Sequence, residues 1–325
     1  MKELESFSPN SWLKGMNLRD INFLILLASI IPSAIIFFAG KPYLKFIMMY
    51  FFAYAIYTAS WDLLYSYSGQ LSLGQALPFG LGAFFTIMLT QIIKFPLVPS
   101  AIAGTLGAAA VGGSIGGTTI RLKPGYQGIA ILLFSQVLYW LSLIAYGEEG
   151  VSIFTETPPT QTTIYLTGLA LFLLAMFSIY VIQNSAYKLK LLAIKGDNLA
   201  AEVSGINVPV HKAIVFFLSA LFAALAGTYY GIFTSHADFS IFAVPNSFLP
   251  IGMAIVGGVG FLGGPIIGSA IVSLIINILP VWYSLAITYF AYGIVVIIIL
   301  KVKPTGILGL LKQVTRKEKT KVAKG

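Results

Sequence analysis

The sequence predicts an all-α integral membrane protein, a bundle of about ten transmembrane helices, and three observations carry that expectation. Only 10% of the 325 residues are charged while 58% are hydrophobic, against about 25% charged in a soluble globular domain. Seven windows of 20 or more residues contain no Asp, Glu, Lys or Arg, and a helix crossing about 30 Å of hydrocarbon needs about 20 apolar residues. The 20 Lys and Arg, set against 11 Asp and Glu, are also unevenly placed along the chain. Cysteine is absent, which excludes disulfides, thiolate metal sites, haem attachment and a cysteine nucleophile together.

Residues 1–20 carry Glu3 and Glu5 and no small-residue cleavage site, so they read as a cytoplasmic, interfacial lead-in rather than a signal peptide. The transmembrane domain then runs over 21–300. Its charge-free windows are 21–40, 63–93, 95–120, 124–147, 157–187, 213–237 and 239–300, and 44–65 adds a span bounded by Lys45 and Asp62. The last window, 62 residues long, holds three crossings at about 1.5 Å of rise per residue. Ten spans place both termini on one side, and cytoplasmic segments collect Lys and Arg. With the termini inside, 17 of the 20 basic residues fall on inner segments, leaving only Lys41, Lys45 and Lys94 outside. The expected location is the cell membrane, multi-pass. The basic tail 301–325 reads as a cytoplasmic, lipid-facing or solvated end, with no nucleic acid as partner.

Within the fourth span, Gly112 and Gly116, and Gly113 and Gly117, recur at the spacing that lets helix backbones approach closely. Packing within the subunit is the favoured reading over a self-dimerisation face. No phosphate-binding G-x-x-x-x-G-K-[ST] loop is present, so any ATPase must be another chain. The run Gly258, Gly260, Gly263 matches G-x-G-x-x-G but sits inside the long apolar window, not between a strand and a soluble helix. Two readings of GGVGFLGGP stand: a helix break at membrane depth, tolerated where protein satisfies the backbone, or a tight turn at the membrane surface. Asp62 is the only acid inside a span and lies near its cytoplasmic end. It reads either as a pathway residue or, preferably, as an interfacial acid paired with Arg121 or Lys123. His211 and His236 fall on opposite sides and share no metal, and each reads as a polar loop residue. The scattered acids form no catalytic set, so no enzyme is expected.

The inner loop 188–212 is the most informative polar segment. Asp197 is a good N-cap, 198–204 allows two helical turns, Gly205 suits a left-handed C-terminal cap, and Ile206 is placed for the accompanying apolar contact. The short helix presents Leu199, Ala200 and Val203. It is either an amphipathic connector on lipid or a docking helix for a groove on a soluble partner.

Four ordered stretches, SGQLSLGQALPFGLGAF, IKGDNLAAEVSGINVPVHK, GGVGFLGGPIIGSAIV and KPTGILGLL, resemble the LivM-type permease subunit of branched-chain amino-acid ABC importers. The resemblance spans about 50–311. It implies partnership with a LivH-type second permease, two ABC ATPase subunits that bind ATP and Mg, and an extracellular solute-binding protein. This chain itself would hold no cofactor. Asp197, Ala200, Ala201, Glu202, Gly205 and Ile206 match the family's coupling helix, making Ala201→Arg a test of docking. The family usually has Asn at the place of Asp62 and His at the place of Gln75, and the outer segment 147–159 matches only loosely. Urea or short amides therefore stand as alternative solutes, and an ion-coupled secondary transporter as an alternative mechanism. Asp62, Gln70, Ser72 and Gln75 are candidates for lining the translocation path, with interhelical hydrogen bonding as the competing reading.

Overall fold

The computed structural model describes residues 18–153, 159–302 and 305–309; the lead-in before residue 18 and the tail beyond 309 lie outside them. Among the described residues twelve α-helices follow one another, with one two-stranded clip. They are α1 (Leu18–Ala39), α2 (Pro42–Ser68), α3 (Ala76–Gln91), α4 (Leu97–Thr119), α5 (Pro124–Tyr146) and α6 (Gln161–Asn184). After these come α7 (Tyr187–Gly196), α8 (Asn198–Val203), α9 (Val208–Thr234), α10 (Val244–Gly257), α11 (Gly263–Ile278) and α12 (Leu285–Val302). The clip pairs β1 (Val151–Ser152) antiparallel with β2 (His236–Ala237).

Among the described residues, seven helices are long and apolar enough to cross a membrane, and three shorter apolar helices lie at Leu24–Phe38, Ala76–Gln91 and Val244–Gly257. The sequence windows overstate helix length where the backbone breaks. The window 63–93 divides: Leu63 to Ser68 complete α2, 69–75 is non-helical, and α3 begins only at Ala76. Likewise the 62-residue window contains a break at 258–262 between α10 and α11. Both breaks are flanked by buried residues, which is where hydrogen-bonded irregular backbone is tolerated at membrane depth.

Helix ends fall into two sets. At one end, Lys195 meets Ser66, Gln70 meets Lys212 and Gln127, and Asp62 meets Gly260. At the other, Tyr43 bonds the carbonyl of Asn277, Gln161 that of Pro42, and Ser152 meets His236. The first set carries Lys188, Lys190, Lys195 and Lys212 and is called here the basic end. His211 lies in the first turn of α9 and His236 two residues past its last, Thr234; about 35 Å of helix lies between them at 1.5 Å per residue.

α2 runs through the centre, enclosed by α6, α9, α10 and α11, with Phe52, Tyr57, Leu63 and Leu64 sealed in the core. Beside it α3, α4 and α9 form a tight trio. Gly227 on α9 lies against the Phe79 carbonyl, Gly82 on α3 against that of Ala224, and Gly104 on α4 against Thr86. Hydroxyls reinforce the contact: Thr105 Oγ1 donates to Thr228 Oγ1 at 2.9 Å, which donates to the Gly82 carbonyl at 3.1 Å. The α4 glycines pack within the subunit as the sequence suggests, Gly112 on Pro78, Gly113 on Phe217 and Gly116 on Phe216, while a Cβ on Gly117 would meet open space.

Candidate functional site: a two-helix elbow and the broken segments behind it

At the basic end α7 and α8 form an elbow. Asp197 sits at its corner in extended conformation, φ −155°, and its Oδ1 accepts from the Leu199 amide at 2.8 Å and the Ala200 amide at 3.4 Å. These bonds satisfy backbone donors that a first helical turn leaves open. At the other end the Gly205 N–H donates to the Glu202 carbonyl at 2.9 Å and the Ile206 N–H to the Ala201 carbonyl at 3.0 Å. This paired closure is a Schellman motif. It requires the left-handed conformation, here φ +82° at Gly205, which side chains with a Cβ resist. Ile206 packs where the sequence places it, on a small cluster of Ile194, Ala201 and Val208.

That cluster changes the roles assigned within the helix. Ala201 is 3% exposed, whereas Leu199 is 72% and Val203 90% exposed; Ala200 and Glu202 are also on the open side. The face available to a partner is therefore Leu199, Ala200, Glu202 and Val203, and Ala201 holds the elbow together from beneath. Ala201→Arg is expected to open the elbow rather than to probe docking, with increased trypsin cleavage after Lys195 as the readout. Tyr187, at the start of α7, lies against His211, with its hydroxyl 3.4 Å from Nδ1, and burial pushes its phenol above the ordinary range.

Behind the elbow lies the first broken segment, 69–75. Gln70, Ser72 and Gln75 are all buried. Gln70 donates to the Lys212 carbonyl at 3.1 Å and accepts from Gln127 Nε2 at 3.0 Å, so it joins α9 to α5. The Ser72 carbonyl accepts from Trp61 Nε1 at 2.8 Å. Gln75 Nε2 donates to Ser60 Oγ and Ser219 Oγ, each at 3.0 Å. The Gln70 and Gln75 side chains thus bond between elements of one subunit, whereas the Ser72 hydroxyl has no hydrogen-bond partner among the described residues. Interhelical bonds of this kind average about 0.6 kcal/mol, so Gln75→Leu, which removes two, is expected to destabilise by about 1 kcal/mol. A drop of a few degrees in the detergent melting temperature would register it.

Asp62 is 1% exposed and about 9 Å inside the end of α2 at 1.5 Å per residue. The expected pairing with Arg121 or Lys123 is replaced by another. Asp62 Oδ1 accepts from Ser66 Oγ at 2.6 Å and from the Gly260 N–H at 2.8 Å, while Oδ2 has no hydrogen-bond partner among the described residues. Gly260 belongs to the second broken segment, at φ +85°. Gly258 in the same turn packs on the Thr305 carbonyl and on Leu308, so residues 305–309 of the closing motif fold against the GGVGFLGG motif. No signal in the sequence links Asp62 to a glycine 198 residues away.

A separate apolar cavity of about 450 Å³ opens between α4, α6 and α9, lined by residues such as Leu97, Ile102, Leu106, Leu171 and Tyr229. None of the four path candidates lines it.

The family described as branched-chain amino acid transport system / permease component matches residues 43–300. Neither curated proteins nor solved structures give a match. With that match over most of the chain and with several apolar helices of membrane-crossing length, the chain is a multi-pass membrane protein and belongs to the family of permease components of branched-chain amino acid transport systems.

Proposed function

We propose that the chain is the LivM-type permease subunit of an ATP-driven importer of branched-chain or similar amino acids. Its basic end faces the cytoplasm, as the Lys and Arg distribution favours, which puts both termini there. In this reading α8 docks in a groove on an ABC ATPase subunit, two of which bind ATP and Mg, and a LivH-type permease and an extracellular solute-binding protein complete the assembly. One observation carries it: a six-residue helix, capped at both ends, that leaves Leu199 and Val203 in the open beside the bundle. Lone apolar side chains on a surface are ordinary, but a rigid, capped, small-residue helix presenting them has the form of a helix that seats in a groove.

Asp62, Gln70, Ser72 and Gln75 serve the translocation path from behind, by holding the two broken segments against α2, rather than by touching the solute. The solute itself follows the family: a branched-chain or similar amino acid.

A mild-detergent pull-down of the tagged chain from its native membrane tests the reading. Recovery of P-loop ATPases with a second permease is expected. A chain that purifies alone and moves solute in liposomes without ATP refutes it.

A further inference from the structure

Lys195 is the penultimate residue of α7, two residues before the α8 cap. Its Nζ donates to the Ser66 carbonyl at 2.8 Å and stands 5.5 Å from the centre of the Tyr65 ring, within cation–π range. Its stem crosses Gly69, where a Cβ would lie 3.2 Å from Lys195 Cγ. Ser66 in turn donates its hydroxyl to Asp62 Oδ1, which holds the Gly260 N–H. Gly258, two residues earlier, carries the 305–309 segment. One hydrogen-bonded line thus runs from the elbow, through the last turns of α2, to the turn between α10 and α11.

We propose that Lys195, Ser66, Asp62 and Gly260 form a latch that makes the docking elbow and the α10–α11 turn move as one body, with Lys195 and Asp62 as positioning residues. The latch requires an acceptor at Asp62, since both of its bonds end on Oδ1, and it does not require the charge. It requires a donor at Lys195. This inference rests on the docking reading of α8 for its purpose, and on the hydrogen bonds alone for its existence.

Two measurements test it on the full chain. In the complex reconstituted in liposomes with its co-purifying ATPases, Lys195→Met and Asp62→Leu are expected to assemble and hydrolyse ATP normally but to move about tenfold less solute per ATP. Asp62→Asn, which keeps Oδ1, is expected to restore the ratio. Because Asp62→Leu alters a buried site, Lys195→Met at an exposed side chain decides alone if the former does not fold. In detergent, amide exchange over 258–262 is expected to quicken by about fivefold or more in Lys195→Met, and to stay unchanged in Lys190→Met. Unchanged exchange, or an unchanged ratio of solute to ATP in Lys195→Met, overturns the latch. Failure of any ATPase to co-purify with the unaltered chain instead overturns the docking reading, and with it the proposed purpose, while the exchange result still decides whether the latch exists.

Discussion

On the proposed docking of α8, Leu199→Glu or Val203→Glu is expected to leave the permease folded and inserted but to strip it of ATPase subunits. Both side chains stand open beside the elbow, and surface substitutions away from caps and cores cost within about 0.5 kcal/mol of stability. An anchor at a docking interface is worth about 2 kcal/mol or more, so either variant alone is expected to weaken ATPase association by at least about 30-fold. Co-purification from native membranes measures it directly, with a size-exclusion profile of the detergent-solubilised chain as the check on folding. Retention of the ATPases by both variants would remove α8 from the docking surface. Serine at Ala201 should behave differently: the site lies under the helix against Ile194 and Val208, and its effect is on the elbow.

The second large effect is steric. Gly227→Val drives a Cβ into the Phe79 carbonyl, and Gly82→Val one into that of Ala224; both obstacles are backbone and cannot swing aside. Ordinary overpacking costs about 1–3 kcal/mol, and a clash with backbone at the centre of the α3, α4, α9 trio is expected to exceed it and abolish recovery of a monodisperse protein. Gly117→Ala is the control, since its Cβ meets nothing within 4 Å. It should be neutral or stabilise by up to about 1 kcal/mol through helix propensity. Size-exclusion profiles of the three variants in one detergent, with a melting curve of Gly117→Ala against the unaltered chain, separate these outcomes.

These contrasts mark what was legible in the sequence. The short helix α8 was readable because its determinants are local: Asp197, Gly205 and Ile206 act on backbone groups within five residues, whereas α7, the other arm of the elbow, was not foreseen. The outward patch of Leu199, Ala200 and Val203 was legible as well; that Ala201, which the family resemblance groups with them, packs beneath the helix on Ile194 and Val208 was not. Apolar windows made a multi-pass helical membrane protein legible but blurred where helices stop, since the non-helical 69–75 is as free of charge as the helices around it, and of the ten expected spans seven are helices of crossing length among the described residues. The partner of Asp62 was out of reach for another reason. Charge complementarity pointed to Arg121 or Lys123, whereas a backbone N–H, which any residue but proline carries, occupies the site. Nor did the residues of 69–75 reveal whether they met solute or each other, because glutamine and serine suit both tasks.

The enclosure of α2 also sets a timetable for synthesis. Gln75 reaches Ser219, a hydroxyl 144 residues further along the chain, and Asp62 reaches an amide 198 residues further. A ribosome adding about 5–20 residues per second needs roughly 7–40 s to supply those partners. During that interval the least apolar of the long spans carries a carboxylate, and the segment that follows it an amide, whose later partners do not yet exist, in surroundings where unsatisfied polar groups are costly. The newborn chain must therefore wait beside the insertion machinery, or beside a shielding protein, until α9 and the α10–α11 turn arrive.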